Sequence, residues 1–299
     1  MKKAVTIGTF DGVHRGHQLV LETLKKEAAK RGLQPTAMTF DRHPLDLIAP
    51  QRAPGNLMTP KRKADLIRRE GVEPIVLTFS EQLRMMSAYE WLDHIHRKYD
   101  VELLVAGYDN TFGRDGIDLS IADYKAMGDA IGIEVVSAPE ENGVSSSAIR
   151  KAVKAGDIDR ARNLLGHHPE IEGKVTSGFH IGRKIGYPTA NLQVASGAVV
   201  PANGVYAATA NIDDDDEVLA AMVNIGHRPT FKGTSTGSEQ LSVEAHIIGE
   251  DRDLYGKNIR LEFLSRIRDE VKFSSIEELK QQLGKDKEAT LNAFNSIKV

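Results

Sequence analysis

The sequence predicts an α/β unit built on a parallel sheet, followed by an all-β barrel that closes with a helix. Three observations predict it. Short apolar runs alternate with segments of helical period through the first half, the texture changes at His167, His168 and Pro169, and strand signals then follow one another. The expected domains are residues 1–168 and 169–299, in keeping with the prior of about 150 residues per domain.

The first strand is AVTIG, and a helix runs from about Gly16 to Arg31. A second strand, TAMTF, leads through a Pro-rich loop to a helix over roughly Pro60 to Glu70. There follow a strand at PIVLTF, a helix over SAYEWLDHIHRKY, a strand at ELLVAG, a helix near Ile121 to Ile131 and a strand at IEVVSA. Strands separated by helices imply a parallel sheet covered on both faces, and ligands of such sheets sit beyond the carboxyl ends of the strands. Helical text continues through SSSAIRKAVKAGDIDRARNLLG. From Glu172 onward EGKVTSG, GVYAATANI, EVLAAMVNI, LSVEAHII and NIRLEFL are divided by Gly- and Asp-containing turns, the pattern of a small antiparallel barrel. The acidic run Asp213 to Asp216 lies between two of these strands and reads as a solvated hairpin turn. In FSSIEEL a Ser is followed three residues later by Glu, the capping-box start of a final helix.

The chain of 299 residues is 40% hydrophobic and 27% charged, values of an ordinary globular protein rather than a disordered one. A formal net charge of -3 argues against a surface that binds nucleic acid by bulk phosphate attraction. With no Cys, thiolate catalysis, disulfides and cysteine zinc sites are excluded. Gly8 and Asp11 interrupt the apolar start too early for a signal peptide, and no apolar run approaches the roughly eighteen residues of a membrane span. The expectation is a cytoplasmic protein without nucleic-acid or membrane partners.

In GTFDGVHRGH, Gly8, Gly12 and Gly16 lie between a strand and a helix. Missing side chains there let backbone N–H groups approach an anion, and the helix amino end favours negative charge. His14 and His17 are three apart, so both imidazoles can leave one face of the first helical turn and meet phosphates. A capping or core role is the competing reading of His14. A zinc pair is disfavoured, because no HExxH pattern or third ligand accompanies it. In VSSSAIR the serines can cap a helix and bind phosphate oxygens, and Arg150 can either offer a charged fork to a triphosphate or form a surface salt bridge.

In the second half Gly178, Gly182 and Gly186 are four apart, but Pro188 biases Tyr187 toward an extended conformation, so a glycine loop leading into a strand fits better than a helix. The GxxxxGK[ST] phosphate loop is missing. Thr189 and Asn191 face the same side of that strand and carry oxygens suited to magnesium, or else serve a turn. In LSVEAHII, Val243, Ala245 and Ile247 form an apolar face, so Glu244 and His246 project from the other. Glu244 is then either an ordinary exposed-strand carboxylate or a base able to take a proton from a substrate alcohol.

GTFDGVHRGH resembles the signature of the HxGH nucleotidyltransferase superfamily, in the GxFDGxHxGH form of prokaryotic FAD synthetases. VSSSAIR is similar to that family's ISSTxxR, with Ser147 in place of Thr. TFDRHP and GYDNTFGRDG resemble two further motifs, with Arg42 where Pro is common and Asn110 where an aromatic residue is usual. GRKIGYPTAN, GVYA, NIGHRPTF, VEAHI, DLYG and IRDE are similar to riboflavin kinase. Their order resembles that of bifunctional prokaryotic riboflavin kinase/FMN adenylyltransferases.

The resemblance implies a Rossmann-like nucleotidyltransferase domain and a riboflavin-kinase-like barrel. In the first, the phosphate of FMN would attack the α-phosphorus of ATP, giving FAD and pyrophosphate. His14, His17 and Arg150 would be catalytic, with Gly8, Phe10, Asp11, Gly12, Gly16, Asp109, Ser145 and Ser146 binding nucleotide or flavin. In the second, Glu244 would activate the ribityl 5′-hydroxyl of riboflavin and Gly178, Gly182, Arg183 and Gly186 would form the nucleotide loop. Thr189 and Asn191 would serve Mg2+ and phosphate, and Arg268 would help hold substrates. The implied partners are the small molecules ATP, riboflavin and FMN. Arg42 and Asn110 motivate an alternative, a flavin-binding regulatory protein or a homologue that retains one of the two activities. A different adenylyltransferase fused to the kinase-like barrel is a second, because HxGH sites serve several acceptors.

Overall fold

The computed structural model describes residues 1–107, 111–177, 185–228 and 240–297, the side chains of 228 and 240 excepted. Contacts divide the chain into two compact units, Met1–Ser146 and Ser147–Val299.

In the first unit β1 (Lys3–Ile7), β2 (Gln34–Phe40), β3 (Glu73–Leu77), β4 (Val101–Ala106) and β5 (Glu134–Ser137) form a parallel sheet in the order β3-β2-β1-β4-β5. The period of two along a strand sends neighbours to opposite faces. Ala4, Ala37, Leu103 and Val105 pack with Leu21 and Leu24 of α1 (Arg15–Arg31). Val5, Met38 and Leu104 pack instead with Trp91, Leu92 and Ile95 of α5 (Ala88–Tyr99). Both faces of the sheet are thus covered, as the alternation of strands and helices predicts. Each such fully buried large side chain contributes about 1.5–3 kcal/mol. Capping sets the helix ends: Ser87 and Glu90 form a capping box on α5, and Gly32 ends α1 at φ 65°, in the left-handed region.

Between these elements lie α2 (Pro44–Ile48), α3 (Pro60–Arg69), α4 (Glu81–Met85) and α6 (Ile121–Ile131). The helices α2 and α4 are absent from the sequence expectation, because five residues are too few to display a helical period. Their starts are nevertheless defined by side chains, His43 Nδ1 accepting from the Leu45 N–H and Ser80 Oγ from the Leu83 N–H.

The second unit contains α7 (Ser146–Lys154), whose first residue still counts with the first unit, and α8 (Ile158–Leu165). Then come β6 (Glu170–Thr176), β7 (Ala190–Val194), β8 (Gly204–Ile212), β9 (Leu219–Arg228), β10 (Gln240–Ile247), β11 (Asn258–Arg268) and α9 (Ile276–Ser296). The strands close into an antiparallel barrel in the order β10-β7-β6-β11-β8-β9. Its interior is lined by Leu192, Tyr206, Val223, Val243, Ala245, Leu261 and Phe263. The contact division falls after Ser146, well before the textural boundary at 168/169. Ile158 joins the barrel core, and Gly156 lies so close to Tyr206 and Arg266 that a Cβ would meet the Tyr206 hydroxyl at 2.9 Å. Helical periodicity identifies an element without telling which core it joins.

Asp213 and Asp214 do form the turn between β8 and β9, both at positive φ. Lys257 and Arg260 partner them at 2.9 and 3.2 Å. At the start of α9 the Ser275 hydroxyl accepts from the Glu278 N–H, while the Glu278 carboxylate accepts from the N–H and hydroxyl of Ser274.

Candidate active sites

The GTFDGVHRGH segment leaves the carboxyl end of β1 and enters α1, the position where a doubly wound sheet binds ligands. Its backbone is strained. Gly12 sits at φ 88°, where glycine is at ease, but Phe10 at φ 47° and Val13 at φ 37° do not have that freedom. Such non-glycine conformations cost on the order of 1–3 kcal/mol each and persist only where surrounding contacts hold them.

Those contacts are present. The Asp11 carboxylate accepts from the Leu57 N–H at 2.9 Å, and the Asp11 carbonyl accepts from the Ser146 hydroxyl at 2.9 Å. The Thr9 carbonyl accepts from the Thr39 hydroxyl at 3.0 Å and from Lys63 Nζ at 2.9 Å. Phe10 and Val13 are buried in the core, and the Phe10 ring centroid lies 5.0 Å from that of His17. Phe10 therefore packs against the His17 imidazole.

His14 caps α1: its Nδ1 accepts from the His17 N–H at 3.3 Å. The two imidazoles stack with centroids 3.6 Å apart and planes 15° from parallel, so the three-residue spacing brings them together as the sequence predicts. His17 Nδ1 is buried and meets no hydrogen-bond partner among the described residues. Burial holds the His17 imidazole well below the ordinary histidine range, and the nearby His14 and Lys63 push it the same way. A Cβ on Gly16 would stand 3.3 Å from the His14 ring, so a side chain there would crowd the stacked pair.

A pocket beside this loop is lined by Thr9, Asp11, Phe40, Asp41, Arg42, His43, Asn56, Met58, Pro60 and Lys63. Asp41 accepts from the Phe79 N–H at 3.0 Å, and Arg42 Nε lies 3.5 Å from the Asp41 carboxylate. Ser145 immediately precedes α7, and Arg150 is buried on that helix. Asp109 and Asn110, from GYDNTFGRDG, lie outside the described residues. Phe112 of the same motif is buried, and its backbone N–H and carbonyl both bond the Tyr124 hydroxyl.

In the second unit the strand register assembles the site. Glu244 on β10 pairs with Asn191 on β7 and with Asn224 on β9. Val243 and Ala245 point into the barrel core, so Glu244 faces outward, as the sequence pattern predicts. Its Oε2 accepts from the Thr189 hydroxyl at 3.4 Å and its Oε1 from the Ser242 hydroxyl at 3.3 Å. On the same outer face His246 shares a 2.8 Å hydrogen bond with the Pro188 carbonyl, which requires its Nδ1 to carry the proton. Burial lowers the proton affinity of His246. The Tyr187 ring meets the His246 ring edge to face at 5.2 Å.

Gly178, Gly182 and Arg183 lie outside the described residues, while Gly186 is exposed at φ 85°. A second pocket runs from Thr189 and Ala190 to the acidic segment Glu250 to Asp253, with Leu254 and Tyr255. Among the described residues no group of three His, Cys, Asp or Glu could hold a metal ion. The oxygens of Thr189, Asn191 and Glu244 are hard donors of the kind Mg2+ accepts when phosphates and waters complete its shell.

Arg268 is engaged elsewhere. Its Nε and Nη2 donate to the Asp286 carboxylate of α9 at 3.1 and 2.8 Å, and its Nη1 donates to the Asp269 carbonyl at 2.9 Å. Asp286 is 1% exposed and also accepts from Gln282.

Sequence reasoning assigned no role to Lys63, Ser242, Asn224 or Asp286, although Asn224 opens the NIGHRPTF motif. Lys63 had a signal: it stands four residues before the buried Ile67, on the apolar side of α3, where a lysine is out of place. Ser242 and Asn224 become neighbours of Glu244 only through strand register, which no local pattern encodes.

A strained glycine-containing loop at the end of a parallel sheet and a hydroxyl–amide–carboxylate group on a closed barrel form an arrangement suited to a two-unit transferase of phosphorus-containing groups. Residues 1–149 match the FAD synthetase family and residues 165–294 the riboflavin kinase family. A bifunctional riboflavin kinase/FMN adenylyltransferase of Bacillus subtilis (strain 168) is 35% identical over 301 residues, covering 99% of this chain and 94% of that one. The protein of that description from Escherichia coli (strain K12) is 35% identical, covering 97% and 92%. A crystal structure described as a macrolide-efflux protein from Streptococcus pneumoniae superposes with a TM-score of 0.84 at 34% identity, covering 97% of this chain and 94% of that one. No helix among the described residues is long and apolar enough to cross a membrane. The chain belongs to the bifunctional riboflavin kinase/FMN adenylyltransferase family, enzymes of flavin cofactor biosynthesis.

Proposed function

We propose that the second unit phosphorylates riboflavin with ATP and that the first transfers an adenylyl group from a further ATP to the resulting FMN. The observation that supports this reading is that His14 and His17 stack at the carboxyl end of the parallel sheet in the first unit, while Glu244 lies beside Thr189 and Asn191 on the barrel of the second.

In the first reaction Glu244 accepts the proton of the ribityl 5′-hydroxyl while the oxygen attacks the γ-phosphorus and ADP leaves. Thr189 and Ser242 orient the carboxylate. Thr189 and Asn191 are the residues that would hold Mg2+, which when bound neutralises charge on the phosphates. In the second, the FMN phosphate is already anionic, so no strong base is required. It attacks the α-phosphorus of ATP and pyrophosphate departs. Catalysis then comes from alignment and from positive charge meeting the growing negative charge. His17 begins neutral in its buried position, and an arriving triphosphate favours its protonated form, so its charge develops with the substrate. The roles of Asp109, Arg150, Gly178, Gly182 and Arg183 rest on the sequence motifs. ATP dependence fits the cytoplasmic location expected from the sequence.

Incubation with riboflavin, ATP and Mg2+ tests both steps: FMN should appear first and FAD with pyrophosphate after it. FMN without FAD would favour a homologue retaining one activity, and neither product would favour a flavin-binding regulatory protein. Offering nicotinate mononucleotide or phosphopantetheine in place of FMN should give no adenylylated product. Adenylylation of either would overturn the choice of acceptor.

A further inference from the structure

Lys63 is a buried cation that neither the motifs nor the reaction has claimed. We propose that Lys63 is a positioning residue for adenylyl transfer: its ammonium pins the carbonyls of Thr9 and Phe40 and so holds the GTFDG turn in the form that presents His17. The inference rests on reading the first unit as the adenylyltransferase.

The geometry is specific. Nζ donates to the Thr9 carbonyl at 2.9 Å and to the Phe40 carbonyl at 2.8 Å. Phe40 is the last residue of β2, and Thr9 lies just beyond the end of β1, so one ammonium ties together the carboxyl ends of two neighbouring strands. Immediately after Thr9 the chain turns through Phe10 and on to Val13, both at positive φ. An unfavourable turn of this kind keeps its shape only while its ends are fixed. Lys63 is 7% exposed, on a helix whose other buried residues are Arg62, Ala64 and Ile67. A lysine buried there costs more than an apolar residue would, unless its donors are used.

Electrostatics supports the same role. Burial pushes the Lys63 ammonium down to about 8, although the carboxylates of Asp11 and Asp41 oppose the shift. Its charge in turn helps keep His17 neutral before substrate arrives. Arg42 and His43 line the same pocket and complete the charged surroundings. As pH rises through that value Lys63 loses its proton, its hold on the two carbonyls loses the assistance of charge, and the turn loosens.

The test follows FAD formation from supplied FMN and ATP across pH. The profile of kcat/KM reports groups of the free enzyme. The wild-type protein should lose kcat/KM for FMN as pH rises through about 8. Lys63→Arg, whose guanidinium stays charged over this range, should lack that alkaline limb. Lys63→Gln should lower kcat about a hundredfold, the scale of a misplaced reacting group, and should move the His17 imidazole titration, read by NMR, to higher pH because a neighbouring positive charge has gone. If the first unit of Lys63→Gln does not fold, the Lys63→Arg profile decides alone. A wild-type profile without the limb, a limb unchanged in Lys63→Arg, or a folded Lys63→Gln with wild-type kcat overturns the proposal. His17→Ala in the same assay separates the two levels: if it too forms FAD at the wild-type rate, the adenylyltransferase reading of the site has failed rather than the role of Lys63.

Discussion

The two sites place their functional groups by different means. In the first unit the backbone is the instrument: a turn with Phe10 and Val13 at positive φ is held by Leu57, Thr39, Lys63 and Ser146, and the two histidines are set by the first turn of a helix. In the second unit the strands are regular, and the register of β7, β9 and β10 brings Asn191, Asn224 and Glu244 side by side. The difference follows from the chemistry. Adenylyl transfer to an anionic phosphate needs charge and alignment, which on the proposed reading the preorganised turn would supply. Phosphorylating an alcohol needs a base beside it, which on the proposed reading the outward carboxylate of Glu244 would supply.

The comparison breaks most sharply under single substitutions in the two sites. Glu244→Gln should lower FMN formation by about 10²–10⁴-fold, the range for loss of a general base, while FAD formation from supplied FMN persists. His17→Ala should do the reverse, lowering FAD formation by about 10²–10³-fold as expected for one preorganised donor. Product chromatography with each flavin supplied separately checks both. Equal loss of both products in either variant would mean that the two chemistries do not divide between the units.

A second substitution asks whether Arg268 binds substrate, as the family resemblance implies, or braces the barrel. Its Nε and Nη2 serve Asp286, which is almost fully buried on α9. Asp286→Asn should cost on the order of 3 kcal/mol of stability, because it leaves a largely buried guanidinium without its charge partner. Denaturant unfolding measures this. A variant of unchanged stability with a raised KM for riboflavin or ATP would instead return Arg268 to the substrates.

The regular architecture was legible because strands and helices carry different periods, and both the parallel sheet and the barrel follow from them. Within the sites, local spacing was enough for His14 and His17 and for the outward face of Glu244. It failed where geometry is made by distant segments. Nothing near Glu244 in the chain announces Asn224, and nothing near Thr9 announces Lys63. The contact division after Ser146 was not legible, since α7 and α8 read as helices whichever core they join. Arg268 shows the converse problem, for its motif is visible while the buried Asp286 that engages it lies eighteen residues further along the chain.

His246 offers an intermediate effect that sharpens the picture of the register-built site. Its bond to the Pro188 carbonyl steadies the residue before Thr189, so His246→Ala should lower FMN formation about tenfold, within the penalty that misplacement of reacting groups can carry, and leave FAD formation from FMN intact. His246→Asn, which can keep a donor toward that carbonyl, should recover part of the loss. Initial rates of FMN formation check both, and equal rates for the two variants would show that the imidazole acts otherwise than through Pro188.

The smallest effect expected is in the backbone-built site, where the Thr9 carbonyl has two donors. Thr39→Val keeps the shape of a fully buried side chain and removes only its hydroxyl, which donates to that carbonyl at 3.0 Å. Because Lys63 remains bound to the same oxygen at 2.9 Å, no carbonyl is left unsatisfied and the cost should be about 1 kcal/mol, that of one neutral hydrogen bond. FAD formation should fall only a few-fold, roughly the factor that such an energy corresponds to. Unfolding and FAD assays on the same preparation check the pair of values. A loss as large as that of Lys63→Gln would show that the hydroxyl and the ammonium act as one unit on the turn, and that its shape depends on both donors together.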